Sequence, residues 1–351
     1  MTATTENRAA APAATMTALV LEGPGRLVHA ELPVPRAAAG QLLVAVRYVG
    51  LCGTDLGFWD GSSNYLHDGD KSYPFVFGHE WSGRVVEVGE SVTGFAVGDR
   101  VAGHNFRPCG TCESCARGHI LYCPGRSEMG VIGAEQGAAA QYLAVPADTV
   151  VTLPDSVSER DAALLEPCTA AMHAVDRLRV ARGDEVAVLG AGTLGIAAAQ
   201  IARARGAAVS VYDPNHGARA LAGELGITSV GSPDDAPHGR FDAVIEASGA
   251  ASAVRLAPLL CASGARLAQL GTPHGPVDQV PVSSLVLGNV TLHAVLSGVG
   301  HWQDLLAAVG SGAVRLAPLI DTVVPFDEAV RAFERLADRG RPRPKVLIAF
   351  S

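Results

Sequence analysis

The chain of 351 residues carries 48% hydrophobic and 18% charged side chains, a net charge of −8, 40 glycines and seven cysteines. That length suits two domains better than one core, and the composition excludes a disordered or fibrous chain in favour of a loop-rich globular α/β protein. The acidic balance, with no long Lys/Arg block, removes the attraction to phosphate backbones on which nucleic-acid binding depends, and no stretch reaches the roughly 20 apolar residues of a membrane-spanning helix.

The opening MTATTENRAAAPAATM lacks the apolar core and basic start of a secretion signal. A cytoplasmic location is therefore expected, with residues 1–15 a mobile Ala/Thr tail and the folded body starting at Met16. Thiols stay reduced in that compartment, so the cysteines point to metal or catalytic roles before disulfides. From Thr17 to about Val151, short β-rich runs such as LLVAVRYVGLCG, WSGRVVEVGE and AQYLAVPA are punctuated by glycine, the pattern of a mostly β domain. From about Cys168 to Gly298, the apolar runs EVAVLGAG, AAVSVYDPN, FDAVIEASG, ARLAQLGT and VTLHAVLSG alternate with Ala-rich helical stretches, which predicts a doubly wound parallel sheet. The final stretch, through DEAVRAFERLADRG to KVLIAF, is too short to stand alone and is expected to rejoin the first domain. The expected division is a catalytic domain over 16–167, a dinucleotide-binding domain over 168–298 and a return segment over 299–351.

Cys109, Cys112, Cys115 and Cys123 form C-x2-C-x2-C-x7-C on one short stretch. Four thiolates so spaced suit one tetrahedral zinc with no open position, hence a structural ion. A second group, Cys52 in LCGTD, His79 and Glu80 in GHEWSG, and Glu166 in LLEPCTAAMHA, offers fewer soft ligands and leaves room for water or an alcohol oxygen. That is the make-up of a catalytic site.

EVAVLG runs into GAGTLG and then an Ala-rich helix. Gly190 permits the tight turn, Gly192 lets the backbone approach a pyrophosphate, and Gly195 lets helix and strand pack closely, with Thr193 and Leu194 opening the helix on which phosphate sits. Asp213, 21 positions after Gly192, is placed to accept hydrogen bonds from the adenosine ribose and to repel a 2′-phosphate, which favours NAD over NADP. Ser248-Gly249 and Gly271-Thr272 follow two more strands and are expected to line the dinucleotide. Arg219 is expected on a solvated helix face and RGRPRPK in a solvated turn; Cys168, Cys261 and His173 are read as packed residues. His104, Arg107 and Trp81 receive no role.

With CGTD, GHEWSG, GDRV, the four-cysteine lobe, EP-x5-HA at Glu166–Ala174 and the glycine fingerprint in place, the chain after Met16 resembles the zinc-dependent medium-chain alcohol dehydrogenases. The resemblance implies a split GroES-like catalytic domain, two zinc ions per chain, NAD, a small alcohol or ketone substrate and a homodimer or homotetramer. Alcohol dehydrogenases hold catalytic zinc with two cysteines and one histidine. Here the third ligand position carries Glu166, which is similar to the polyol, threonine and sugar dehydrogenase branch, where the positions of Glu80 and Glu166 both reach the metal directly or through water. The implied reaction is Lewis-acid activation of a substrate hydroxyl with hydride passing to the nicotinamide, or the reverse, including reduction of a ketone or imine. Thr54 resembles the hydroxyl that takes the alcohol proton. Gly57 stands where many relatives carry a relaying histidine, so the onward route falls to the cofactor ribose, a water chain, Glu80, Glu166 or His67. CGTDLGFWDG and YPFVFGHEWSG further resemble bacterial cyclitol and aminocyclitol dehydrogenases of antibiotic pathways, and the polar segment between Cys52 and His79 is expected to shape the substrate pocket. A scaffold without activity, a zinc-finger binder of nucleic acid and a zinc-free quinone reductase fit the intact motifs less well.

Overall fold

The computed structural model describes residues 14–350 apart from His274. The expected tail lies outside the described residues except for Ala14 and Thr15, and Thr15 already pairs with Pro33 in the strand Thr15–Gly23, one residue before the expected start of the fold.

The first unit is built around Gln41–Leu51, an almost unbroken apolar strand at the centre of a mixed sheet. The sheet runs in the order 150–152, 100–103, 80–88, 41–51, 345–349, 320–325, with 142–146 also paired to 41–51. Its last two strands come from the chain's end. Lys345–Ala349 lies antiparallel to 41–51, and Ile320–Pro325 lies parallel to Lys345–Ala349. Between them the amphipathic helix Ala329–Ala337 sets Phe333 against Trp59 (ring centroids 4.9 Å) and Phe77 (5.1 Å), covering the core of the first unit with its apolar stripe.

The second unit is a six-stranded parallel sheet in the order 229–231, 208–212, 185–189, 241–246, 261–269, 291–294. In chain order this is 3-2-1-4-5-6, the doubly wound arrangement whose crevice opens beyond the strand ends where the order reverses, here between 185–189 and 241–246. The helix Leu165–Arg177 runs straight through the expected boundary at 167/168. Its first turn presents Glu166 to the first unit's cleft, while Cys168, Ala171 and Val175 share a core with Ile196, Ala199 and Ala202. Trp302, Leu305 and Leu306 of the helix Trp302–Gly310 join that same core, so the chain rejoins the first sheet only at Ile320 and not at residue 299. Among the described residues no helix is long and apolar enough to cross a membrane.

Candidate active site

One cleft of about 820 Å³ runs between the two units and is lined at one end by Cys52, His79, Glu80 and Glu166 and at the other by the Gly190–Leu194 turn and Asp213. At the first end, CGTD is a helix start. Cys52 caps the helix Gly53–Asp60, the Asp55 carboxylate accepts the Cys52 N–H (2.9 Å), and the Cys52 sulfur accepts the Thr54 N–H (3.2 Å). The reciprocal cap fixes the direction of the sulfur at the helix N-terminus. Cys52 Sγ lies 3.2 Å from His79 Nε2. Tetrahedral zinc with ordinary Zn–S and Zn–N lengths places such atoms about 3.6 Å apart, so the pair fits a shared ion with little adjustment.

The ligand atoms of Cys52, His79 and Glu80 all lie within 4.8 Å of one another. Glu166 stands outside that tight group but lines the same cleft, and desolvation there raises its carboxyl to about 7 against the opposing pull of His79. Burial works to lower the His79 imidazole, yet the Cys52 thiolate and the Asp55 carboxylate outweigh it and hold the group well above its ordinary value. The thiol, imidazole and carboxylates gathered here form a donor set that suits a divalent cation. Asp55, wholly buried, has Oδ1 3.8 Å from His79 Nδ1, and neither atom has another partner. A carboxylate behind the second ring nitrogen orients a metal-bound histidine. Asp55 has no role in the sequence expectations, although it lies inside CGTD three residues after the capping cysteine, the local signal that marks it.

Thr54 and Gly57 both line the cleft. His67 does not: it is exposed, with Nε2 3.2 Å from the Gly61 carbonyl, so it drops out of the candidate proton route. The segment after Cys52 brings Ser63, Asn64, Tyr65, Asp68 and Asp70 to the wall, and its backbone is anchored by Lys71, which donates to the carbonyls of Gly133 (2.7 Å) and Glu135 (2.9 Å).

At the dinucleotide end, Gly190 has φ +96° and a Cβ there would come within 2.9 Å of Ser248, whereas a Cβ on Gly195 would stand 1.8 Å from the Gly190 carbonyl. Gly192, which caps the helix Thr193–Ala204, faces open space. Two glycines thus serve close packing and the middle one leaves room for a phosphate at the helix start. Asp213 binds the same turn, accepting the N–H groups of Ala191 and Asn215 at 2.7 Å each. Ser248 and Gly271 line the cleft, and the buried Glu246, absent from the sequence expectations, joins their loops by accepting from the backbone N–H of Ser248 (2.8 Å) and of Gly249 (3.1 Å) and from Gln269 (2.6 Å).

The four cysteines 109, 112, 115 and 123 also gather within 4.8 Å of one another. Their sulfurs are free thiols, with Cys112 and Cys115 3.4 Å apart and Cys109 and Cys115 3.9 Å apart. The edge of a zinc–thiolate tetrahedron is about 3.8 Å, far from a disulfide length. Hydrogen bonds from Thr111 pull the Cys109 thiol down to about 6, while burial and the neighbouring sulfurs push Cys115 up to about 12.

Two polar groups depart from expectation. Arg219 folds back to donate to the carbonyls of Asp213 (2.5 Å) and Pro214 (3.0 Å), because the strand end leaves these acceptors unpaired beside the helix start. The RGRPRPK tract is no free turn. Asn215 Nδ2 donates to the Arg339 carbonyl (2.9 Å), Arg343 reaches Glu224 (3.1 Å), and Arg339, Arg341 and Arg343 line the cleft. Cys168 and Cys261 are buried, Trp81 is buried, and His173 packs on His301 with ring centroids 5.0 Å apart.

Comparison with known proteins agrees with this geometry. Residues 38–155 match the family profile "Alcohol dehydrogenase GroES-like domain" and residues 193–311 the profile "Zinc-binding dehydrogenase". The chain is 31% identical to an uncharacterized zinc-type alcohol dehydrogenase-like protein, YdjJ, of Escherichia coli K12 (95% of this chain, 98% of that protein). It is 32% identical to L-threonine 3-dehydrogenase of Legionella pneumophila strain Philadelphia 1 (88% and 92%). The crystal structure of galactitol-1-phosphate dehydrogenase from Escherichia coli superposes with a TM-score of 0.86 at 26% identity (95% and 100%). Solved proteins of the same fold carry NADP, NADH, or cobalt and zinc. With a GroES-like unit, a doubly wound dinucleotide unit and relatives above 30% identity along nearly its whole length, the chain belongs to the zinc-dependent medium-chain alcohol dehydrogenase family.

Proposed function

We propose that the chain oxidises a polyhydroxylated secondary alcohol, a polyol, cyclitol or aminocyclitol, to the ketone with NAD, or runs the reverse reduction. The charge of the substrate end carries this reading. Asp68 and Asp70 line it together with Ser63, Asn64, Tyr65 and Asn105, while Glu128 beside them is paired with Arg126 at 2.9 Å. Of the cations that line the cleft, Lys345 is bonded to Glu80, the Arg339 backbone is bonded to Asn215, Arg341 donates to the Asp338 carbonyl and Arg343 reaches Glu224. Hydroxyls, amides and carboxylates match the hydroxyls and ammonium of such substrates, whereas a phosphate or carboxylate would meet like charge.

In this reading Cys52 and His79 hold the metal with Glu80 and Glu166 beside them, Thr54 takes the alcohol proton, Asp213 binds the adenosine ribose, and Cys109, Cys112, Cys115 and Cys123 hold a structural ion. Zinc supplies Lewis acidity toward the substrate oxygen, and the nicotinamide exchanges the hydride. The test is a dehydrogenase assay over neutral polyols, cyclitols, amino alcohols, threonine and sugar phosphates. Neutral or amino-bearing polyols should exceed phosphorylated ones in kcat/KM by about 100-fold, and Asp68→Asn with Asp70→Asn should cut the preference for an amino over a hydroxy analogue about 10-fold. A sugar phosphate or threonine as the best substrate would overturn the reading.

The same proposal includes a homo-oligomer. The strand Thr291–Ala294 ends the parallel sheet with one edge unpaired, and beside it Leu287 (86% exposed), Val286 (71%) and Leu292 (52%) leave apolar surface uncovered. An open edge with apolar flanks and no proline or lysine guard suits a second copy of itself. Leu287→Glu should shift the protein toward monomer in light scattering at micromolar concentration; an unchanged mass would place the interface elsewhere.

A further inference from the structure

His104 and Trp302, which take no part in the active cleft, meet at a second cavity of about 220 Å³. Its walls come from three parts of the chain. His104 and Thr149 lie beside the strands 100–103 and 150–152, Ile120 belongs to the four-cysteine lobe, and Val299 and Trp302 follow the parallel sheet. None of these residues lines the cleft. His104 is 7% exposed and Trp302 5%, and among the described residues neither His104 Nδ1 nor Trp302 Nε1 has a hydrogen-bond partner. A buried polar group left unmade costs stability, so two on one cavity point to a guest that hydrogen-bonds.

The walls also limit what that guest can be. An indole N–H only donates, so Trp302 requires an acceptor. Burial and the Arg107 cation outweigh the Phe106 backbone and lower the His104 imidazole to about 4, which leaves the ring neutral. Arg107 is turned away to the carbonyls of His104 and Phe106 (3.3 Å each), and Asp148, the one charged wall residue among those described, is exposed to water. A buried charge would therefore find no counter-charge. An apolar cavity of about 150 Å³ holds benzene, so this one has room for a single ring with a small substituent.

We propose that this cavity is a second small-molecule site, which takes an uncharged single-ring compound bearing a hydroxyl, of the size of a simple phenol. The hydroxyl accepts the Trp302 N–H while the ring packs on Ile120 and Val299. With two lone pairs and a proton, a hydroxyl also matches His104 in either tautomer. The site stands back to back with the active cleft. Asn105 and Phe106 follow His104, Leu296 and Ser297 precede the turn Val299–His301, and all four line the cleft. Between them a Cβ on Gly298 would stand 1.9 Å from the Thr169 carbonyl, so this backbone lies tight against the helix Leu165–Arg177 and a guest that braces Trp302 also braces the Ser297 wall.

The test is a calorimetric titration of full-length protein, loaded with zinc and NAD, with p-cresol, which has no carbinol hydrogen to give up. Binding should saturate with Kd about 0.1–1 mM, and toluene, which lacks the hydroxyl, should bind at least about 10-fold more weakly. Trp302→Phe keeps an aromatic ring without the N–H and should weaken p-cresol about 10-fold while leaving toluene nearly unchanged. His104→Leu gives a second reading of the same wall and should also weaken p-cresol, whereas Thr54→Val, in the cleft, should leave its affinity unchanged. A crystal structure of the complex should place the p-cresol oxygen at hydrogen-bond distance from Trp302 Nε1. The proposal is overturned by any of three results: no saturation below about 10 mM, an affinity lost in Thr54→Val but kept in Trp302→Phe and His104→Leu, or p-cresol in the cleft with only ordered water in the cavity.

Discussion

Cys52→Ala protein should turn over at least about 1000-fold more slowly than wild type while retaining one zinc per chain. The sulfur has two tasks that the structure separates. As the cap of the helix Gly53–Asp60 it accepts one backbone N–H, and loss of a cap costs about 1 kcal/mol, too little to unfold the chain. Standing 3.2 Å from His79 Nε2, it is also the softest donor of the cleft. Alanine there leaves one imidazole and carboxylates, of which Glu80 is bonded to Lys345. The four-cysteine lobe is a separate group of sulfurs, so an ion held there should be retained. Metal analysis of protein purified without chelator should therefore fall from two zinc per chain to one as activity disappears. A Cys52→Ala protein that keeps its activity with one zinc would remove the metal from the reaction.

The contrast between these two metal groups shows what a sequence can disclose. The four lobe cysteines lie within a span of fifteen residues, and that spacing alone suits them to one ion. The glycine turn is equally local, since strand, turn and helix follow one another without interruption, and alternation of apolar runs was enough to indicate a doubly wound sheet. The short strand Ser229–Gly231 escaped because three residues carry no periodicity. The boundary expected at 167/168 failed for another reason: composition changes there, but the helix does not break.

Contacts over long separations were the least legible. Lys345 and Glu80 lie 265 positions apart, and nothing in KVLIAF marks its first residue as the partner of a buried carboxylate until two strands are placed on either side of Gln41–Leu51. The arginines of RGRPRPK looked like a solvated turn because charge and proline favour one. The tract is instead tied near Asp213 at Arg339, whose carbonyl accepts the Asn215 amide across 124 positions.

That position bears on the second large effect, a change of cofactor preference. Asp213→Gly should lower the ratio of kcat/KM for NAD over NADP by a factor on the order of 1000, through two contributions of similar size. NAD loses a charge-assisted hydrogen bond to its ribose, which contributes about 1.5–3 kcal/mol, or roughly 10- to 100-fold. NADP is relieved of repulsion between its 2′-phosphate and the carboxylate. Two unit charges about 4 Å apart at an effective dielectric near 20 interact by about 4 kcal/mol, and because Asp213 is half-buried we discount this to about 1–2 kcal/mol for solvent and salt screening. Once the carboxylate is gone, Arg219, bonded to the Asp213 and Pro214 carbonyls, and Arg339 at the cleft wall leave the ribose end positive. The substitution also removes acceptors from the N–H groups of Ala191 and Asn215, so both cofactors should bind less well through a loosened turn. That common loss cancels in the ratio, which is why the ratio and not either constant is the quantity to measure; a ratio unchanged in Asp213→Gly would remove Asp213 as the determinant of cofactor choice.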